Sequence, residues 1–261
     1  TTGYARDTPS TKVTMFYTGM GKPPVDSFQW WKRGGNFLDN PNTGGVSFVH
    51  KQKFGDFDFV FSGMLYGSQS HLQSEYDDYT RFNTKIRWQP HNLKILTIEL
   101  SSLLLYRKDG FQFYWQDGGH PYLAASGVTL NERYFYGLIE PKIKYLDKKG
   151  NQHKIYTRYF RQNNVDGQTD FNIYTVDYQF RHDFPKYFSI LTGARNEHAT
   201  VSDGTLGNHK TDFGGAFVMG EFTYKKFILK AGAREEYVRL DSAITPTIPV
   251  FSLGINQQVG K

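Results

Sequence analysis

Histidines, paired carboxylates and glycine-framed serines or lysines are the usual carriers of chemistry, and here each occurs in a spacing that argues against it. The eight histidines, His50, His71, His91, His120, His153, His182, His198 and His209, are scattered. None forms the HExxH run or i,i+4 pair that would place two imidazoles on one metal. Glu235 and Glu236 are adjacent, and adjacent side chains on a strand point to opposite faces, so the two carboxylates cannot act as a pair. Gly254 to Lys261 has the glycines and lysine of a phosphate loop, but one residue too many lies between the glycines and no Ser or Thr follows the lysine. Gly67-Ser-Gln-Ser-His71 lacks the second glycine and the strand-to-helix setting of a nucleophile elbow. The sequence nominates no catalytic residue, metal site or cofactor, and predicts a protein that is not an enzyme. It does offer flat aromatic faces: Trp30 and Trp31 in one polar stretch, Tyr114, Trp115 and Tyr122 in another. Such rings stack on sugars, aromatic chelators or macrocycles; the alternative reading makes them interfacial girdle residues of a membrane protein.

The elements that would position these rings are strands. Val46 to Phe54 and Phe57 to Tyr66 flank a two-residue Gly55-Asp56 link, the signature of a hairpin. In the second strand Phe57, Phe59, Phe61 and Leu65 share one face and Asp58, Ser62 and Met64 the other. After the polar stretch Gly67 to Asp77, Thr80, Phe82, Thr84, Ile86 and Trp88 alternate with Arg81, Asn83, Lys85 and Arg87. A period of two with charge along a whole face is not a helix stripe.

Links between strands come in two kinds. Short ones at Gly55-Asp56, Gln89 to Asn92, Asp147 to Asn151, Asp183 to Lys186 and Tyr224 to Lys226 are rich in turn formers. Longer ones fall between them at Met20 to Gly45, Gly67 to Asp77, Lys108 to Asn131, Asn163 to Thr169, Val201 to Lys210 and Ser242 to Thr247. Counting through them predicts an all-β, antiparallel transmembrane β-barrel wall of roughly twelve strands, most of about 9 to 14 residues, with short turns on the periplasmic side and long loops outside. A chain that is 17% aromatic yet has a mean hydropathy of −0.57 suits a barrel, in which only alternate residues face lipid. No run approaches the length of a membrane helix, and the absence of cysteine excludes disulfides and thiolate metal sites. The net charge of +6 is spread among apolar residues along the whole chain and not gathered in one patch, so nucleic acid is not an expected partner. Alternation places Arg81, Lys85, Arg87, Lys142, Lys144 and Arg195 toward the lumen.

Several segments, in order, resemble the TonB-dependent receptors of Bacteroidetes-type bacteria. Thr1 to Val13 is similar to the passage from the last plug strand into the first barrel strand, which places residues 1–10 at the end of a plug or linker and makes 1–261 the N-terminal portion of the receptor barrel. Phe54 to Val60, Arg81 to Arg87, Phe113 to Gly118, Asp147 to Phe160, Ala231 to Asp241 and Pro249 to Asn256 follow; Asp147-Lys-Lys-Gly-Asn-Gln-His-Lys-Ile-Tyr-Thr-Arg-Tyr-Phe160 is the most specific. The resemblance implies a barrel of about 22 strands around a plug domain in the bacterial outer membrane, of which this stretch is a fragment. It also implies uptake of a scarce nutrient such as a ferric chelate, cobalamin or an oligosaccharide. The lumenal cations would then pair with plug carboxylates. Implied partners are outer-membrane lipid and lipopolysaccharide, the plug and remaining strands of the same protein, a TonB-type energy-coupling protein, and a surface lipoprotein or larger complex. Two other readings stand beside it: a non-transporting barrel subunit of a secretion or adhesion complex, and a self-contained twelve-strand porin or outer-membrane enzyme. The fragment reading further expects no pairing between the strand near Val13 to Thr18 and that near Val250 to Val259.

Overall fold

The structure, a computed structural model, describes residues 4, 8–31, 40–93, 95–127, 129–245 and 247–257. Fifteen strands make up the chain. They are β1 (Ser10–Gly19), β2 (Asn42–Phe54), β3 (Phe57–Gln69), β4 (Tyr76–Trp88), β5 (Leu96–Gln112), β6 (Trp115–Asp117), β7 (His120–Ala124) and β8 (Thr129–Leu146). There follow β9 (Gln152–Asn164), β10 (Thr169–Asp183), β11 (Phe188–Asp203), β12 (Gly207–Tyr224), β13 (Phe227–Leu240), β14 (Ala243–Thr245) and β15 (Val250–Gln257). All but β6 and β7 join one 13-stranded antiparallel meander, in which each strand pairs with the one before it. β14 and β15 pair with the two ends of the same edge of β13 and form one interrupted strand. Among the described residues β1 pairs with β2 alone, so the two edges of the sheet are not hydrogen-bonded to each other.

Gly55 makes the β2–β3 turn at φ +54, a left-handed conformation that a side chain would strain. Phe48 on β2 covers the bare backbone of Gly63 on β3, where an added Cβ would lie 2.5 Å from the ring. An aromatic laid over a cross-strand glycine pins the register of that pair.

The two faces of the sheet differ sharply. Phe57, Phe61, Leu65, Phe82, Leu100, Leu104, Ile139, Ile143 and Val218 lie on one face and are each more than a third exposed. This face carries two aromatic rows. Phe57, Trp88, Tyr145, Phe188, Tyr224 and Phe227 form one beside the short turns, and Tyr17, Tyr106, Phe135, Tyr159, Tyr174 and Tyr237 form the other toward the opposite end. Along β8 the rows are the ten residues from Phe135 to Tyr145 apart, which at ~3.3 Å per residue and a tilt of ~40° is a height of about 25 Å. That is the height of the apolar band of an outer-membrane barrel, and the rows are its girdles. Asp58, Ser62, Asp109 and Thr175, all buried, lie on the other face. No helix among the described residues is long and apolar enough to cross a membrane, which says nothing about crossing by strands.

The strand expectations need two corrections. β2, β3, β4, β9 and β13 run 13 or 14 residues, as expected, whereas β5, β8, β10, β11 and β12 run 15 to 18 and are longer than expected. The expected long loops at Asn163 to Thr169 and Val201 to Lys210 shrink to the turns 165–168 and 204–206, since their polar residues continue the ladder as Asn164↔Thr169 and Asp203↔Gly207. Outside the bilayer a polar hairpin needs no apolar face, so composition alone marks these strand ends as loop. The small β6–β7 hairpin inside the stretch Lys108 to Asn131 was also not expected.

Candidate functional site: the inner wall and the loop cluster

The register places Arg81, Lys85, Arg87, Lys142, Lys144 and Arg195 together on the polar inner face, in two dissimilar sectors. On β1 to β4 that face presents Lys12, Lys51, Lys53, Arg81, Lys85 and Arg87 against only Asp58 and Asp77. Arg87 donates to Asp58 Oδ2 from Nε at 2.9 Å and from Nη2 at 2.7 Å, while Asp58 Oδ1 is buried without a partner among the described residues. Arg81 reaches only the Met64 sulfur at 3.8 Å. Lys12, Lys51, Lys53 and Lys85 make no ion pair among the described residues. A hollow of about 500 Å³ beside them is lined by Ser62, Met64, Arg81, Asn83, Lys85 and Glu140.

On β5 and β8 to β13 cations and carboxylates instead interleave. Glu99 lies between Lys142 at 3.6 Å and Lys144 at 3.5 Å. Glu140 takes Arg158 at 2.6 Å, and Glu197 takes both Arg195 at 2.6 Å and the Thr175 hydroxyl at 3.1 Å. Glu221 holds Lys230 at 2.8 Å, and Arg234 pairs with Glu236. One register row, Asp58↔Arg87↔Glu99↔Lys142, alternates in sign across four neighbouring strands. A smaller hollow of about 210 Å³, lined by Lys142, Lys154, Tyr156, Asp177 and Arg195 among others, sits on the same face.

Tyr4 also belongs to this wall. The Arg87 guanidinium lies 4.1 Å from its ring centroid, so the chain six residues ahead of β1 rests on the inner face. Sequence reasoning missed this contact, because nothing in residues 1–9 marks which face they follow.

Above the sheet, three loops meet. The Trp30 indole N–H donates to the His71 carbonyl at 2.7 Å, Phe28 and His71 each pack edge-on against Tyr122, and the Gln73 N–H donates to the Tyr122 carbonyl. Trp31 stands at 85° to Trp30 and is 6% exposed, the core of this cluster and not an open platform. Tyr114 and Trp115, 67% and 62% exposed, stand free on the β6–β7 hairpin. The five aromatics predicted as one kind of site thus divide into a packed trio and an exposed pair. Part of the first loop, 32–39, lies outside the described residues.

The histidines mostly engage single carboxylates near turns: His91 with Asp56, His120 with Asp117, His153 with Asp147, His198 with Asp212 and His209 with Asp241. No group of three potential metal ligands is gathered among the described residues. In the β8–β9 turn the Asn151 side-chain amide and the backbone N–H groups of Asn151 and Lys149, with His153, hold the Asp147 carboxyl down at about 2. In the β9–β10 turn Arg133 holds Asp166 below the ordinary carboxylate range.

No family model matches the sequence, and no curated protein matches it. Among solved structures the chain is similar to OmpTdeltaL8, a loop L8 deletion mutant of OmpT, an outer membrane protein of Vibrio cholerae. The two are 9% identical with a TM-score of 0.42, over 96% of this chain and 99% of that one. A likeness this distant carries no substrate or partner across. The fold rests on the ladder, the girdles and the polar inner face: the sheet is the wall of a β-barrel of the bacterial outer membrane. The expectation that the chain is not an enzyme is withdrawn on this comparison. A barrel wall serves catalysts as well as channels, so a lack of motifs excludes no activity, and enzyme status is not established.

Proposed function

We propose that the chain is the first part of the barrel of a TonB-dependent receptor that takes up a scarce nutrient, a ferric chelate, cobalamin or an oligosaccharide, across the outer membrane. The observation that carries this reading is Tyr4 on Arg87. In a receptor of this kind the plug precedes the wall and lies inside it, so the chain must come from the lumen to reach β1. Tyr4 on the inner face, six residues ahead of β1, fits that course. The cations of β1 to β4 that lack carboxylates then meet plug carboxylates, and the half-satisfied Asp58 meets a plug donor. Tyr114 and Trp115 are the exposed rings available to cargo. Energy coupling requires a TonB-type partner on the periplasmic side, and the long-loop side is where a surface lipoprotein would sit.

The test is growth and uptake. A strain deleted for the gene is supplied with single ferric chelates, cobalamin or oligosaccharides as the limiting nutrient. Loss of growth on one class, with uptake stopped by a proton uncoupler while surface binding persists, is the expected result. Uptake indifferent to the uncoupler would replace the receptor by a passive pore.

A further inference from the structure

One sizeable hollow is not in the lumen. A groove of about 770 Å³ opens mainly on the lipid-facing side of β1 to β5, near the long-loop end. Its floor is thinnest at Gly67, which projects no side chain there; the Tyr17 ring lies over Gly44, 3.2 Å from where a Cβ would stand, and Tyr106 of the upper girdle stands at the margin. Polarity changes along its length. Met15, Val46 and Leu65 line the end toward the membrane interior, the tyrosines and Thr80 the middle, and Asp78 and Lys108 the end beyond the girdle. Met15 and Leu65, 72% and 56% exposed, are left open among the described residues.

That order, apolar, then aromatic, then charged, is the order of an amphiphile in the outer leaflet. Aromatic belts lie at the headgroup level, so a charge just beyond them meets headgroups. Lys108 pairs across the ladder with Arg133, and both lie on the lipid-facing side above the girdle. Arg133 is held by Asp166 at 2.6 Å. Lys108 stands opposite Asp78 in the β4–β5 register but makes no ion pair with it among the described residues; its ammonium lies 5.9 Å from the Tyr106 ring, at the groove's mouth. A lysine there is a donor to a phosphate oxygen.

We propose that this groove seats one phosphorylated glycolipid of the outer leaflet, with an acyl chain along Met15, Val46 and Leu65 over the glycine floor and a headgroup phosphate on Lys108. The proposal rests on the outer-membrane placement and not on the transport reading. A single seated lipid differs from the annular shell because its affinity depends on the floor as well as on the charge. Gly67→Leu fills the floor; the nearest atom to a new Cβ is the Asp78 Oδ1 at 3.0 Å, the end of a side chain that can turn away. Lys108→Gln removes the phosphate donor and leaves the groove open.

The full-length protein is extracted from its native membrane in mild detergent, passed through detergent exchange and weighed intact. It is then titrated with purified diphosphorylated lipid A and with the same lipid dephosphorylated. The wild type is expected to keep one lipid. Gly67→Leu should lose retention of both lipids, whereas Lys108→Gln should weaken the diphosphorylated form about tenfold and leave the dephosphorylated form unchanged. Lys148→Gln, in the β8–β9 turn, is the charge control and should match the wild type. Heat-dependent gel mobility equal to the wild type shows that each variant is folded. A wild type that retains no lipid, or folded variants that retain as much as it does, overturns the proposal and leaves bulk lipid on this face; a polypeptide found in place of the lipid does the same. A wild type that retains the lipid, in a strain whose nutrient uptake is unchanged by deletion of the gene, counts against the transport reading alone.

Discussion

The sector of the wall built from β1 to β4 and the sector built from β5 and β8 to β13 share a topology and differ in almost everything laid on it. The first half has a basic inner face short of carboxylates, a cluster of three folded-in loops above it and a glycine-floored groove on its lipid side. The second closes its charges on one another and ends in turns of a few residues. Most charges of the second half are matched within it, Lys154 on β9 excepted, whereas the first has unspent interactions on three of its surfaces. Unspent interactions in a folded protein point to partners, and charged groups left without counter-charges are the most specific of them.

The sharpest break of this contrast is Asp58→Ala. Asp58 is 3% exposed and is the carboxylate set among the lysines, so its loss leaves Arg87 uncompensated beside Lys53. A loss of about 3 kcal/mol is expected in denaturant unfolding from detergent micelles, against about 1 kcal/mol or less for Glu140→Gln in the balanced half, where Arg158 is partly solvated. Next comes Trp31→Ala, which should cost about 3 kcal/mol in the local stability of the loop cluster, read by hydrogen exchange at residues 28–31 and 70–75; Trp115→Ala should leave exchange unchanged, because that ring touches little.

A smaller effect changes sign between the halves. Lys51→Gln with Lys85→Gln relieves repulsion and should raise the unfolding temperature of the chain at low salt. Lys142→Gln with Lys144→Gln strands Glu99 and should lower it, each by the equivalent of about 0.5 to 1 kcal/mol. Both differences should fade above ~0.5 M salt. The smallest effect lies in the β8–β9 turn. Asp147 has its folded pKa lowered to about 2, below the ordinary carboxylate value, so the turn gains stability above about pH 4 and loses it as the pH falls toward about 2. Exchange at Lys149 and Asn151 should follow that window, and Asp147→Asn should abolish it.

Strand alternation made the wall legible, since Phe57 to Trp88 read correctly residue by residue from a period of two. The six cations assigned to the inner face by parity all lie there, because a one-residue slip would turn charge into lipid. Loops were less legible. Trp30, Trp31 and Tyr122 carry no local sign that they pack together, since the contacts join residues about 40 to 90 positions apart. Polar strand ends such as 163–164 and 207–210 read as loop, because water makes the same demand of a hairpin rim as of a coil. The groove was invisible because its floor is made of what Gly67 does not carry.

Those polar ends have a consequence for whatever approaches from outside. β12 runs 18 residues and β11 runs 16, and at ~3.3 Å per residue and ~40° of tilt a strand of that length rises some 15 Å beyond the apolar band. Ion pairs such as Arg161 with Asp170 at 3.0 Å stiffen the neighbouring β9–β10 rise. The rim therefore differs in kind around its circumference, a stiff parapet of paired strands over one part and a roof of packed aromatic loops over the other. A bulky visitor, whether nutrient, phage fibre or antibody, would meet a backbone ladder at the first and side-chain packing at the second.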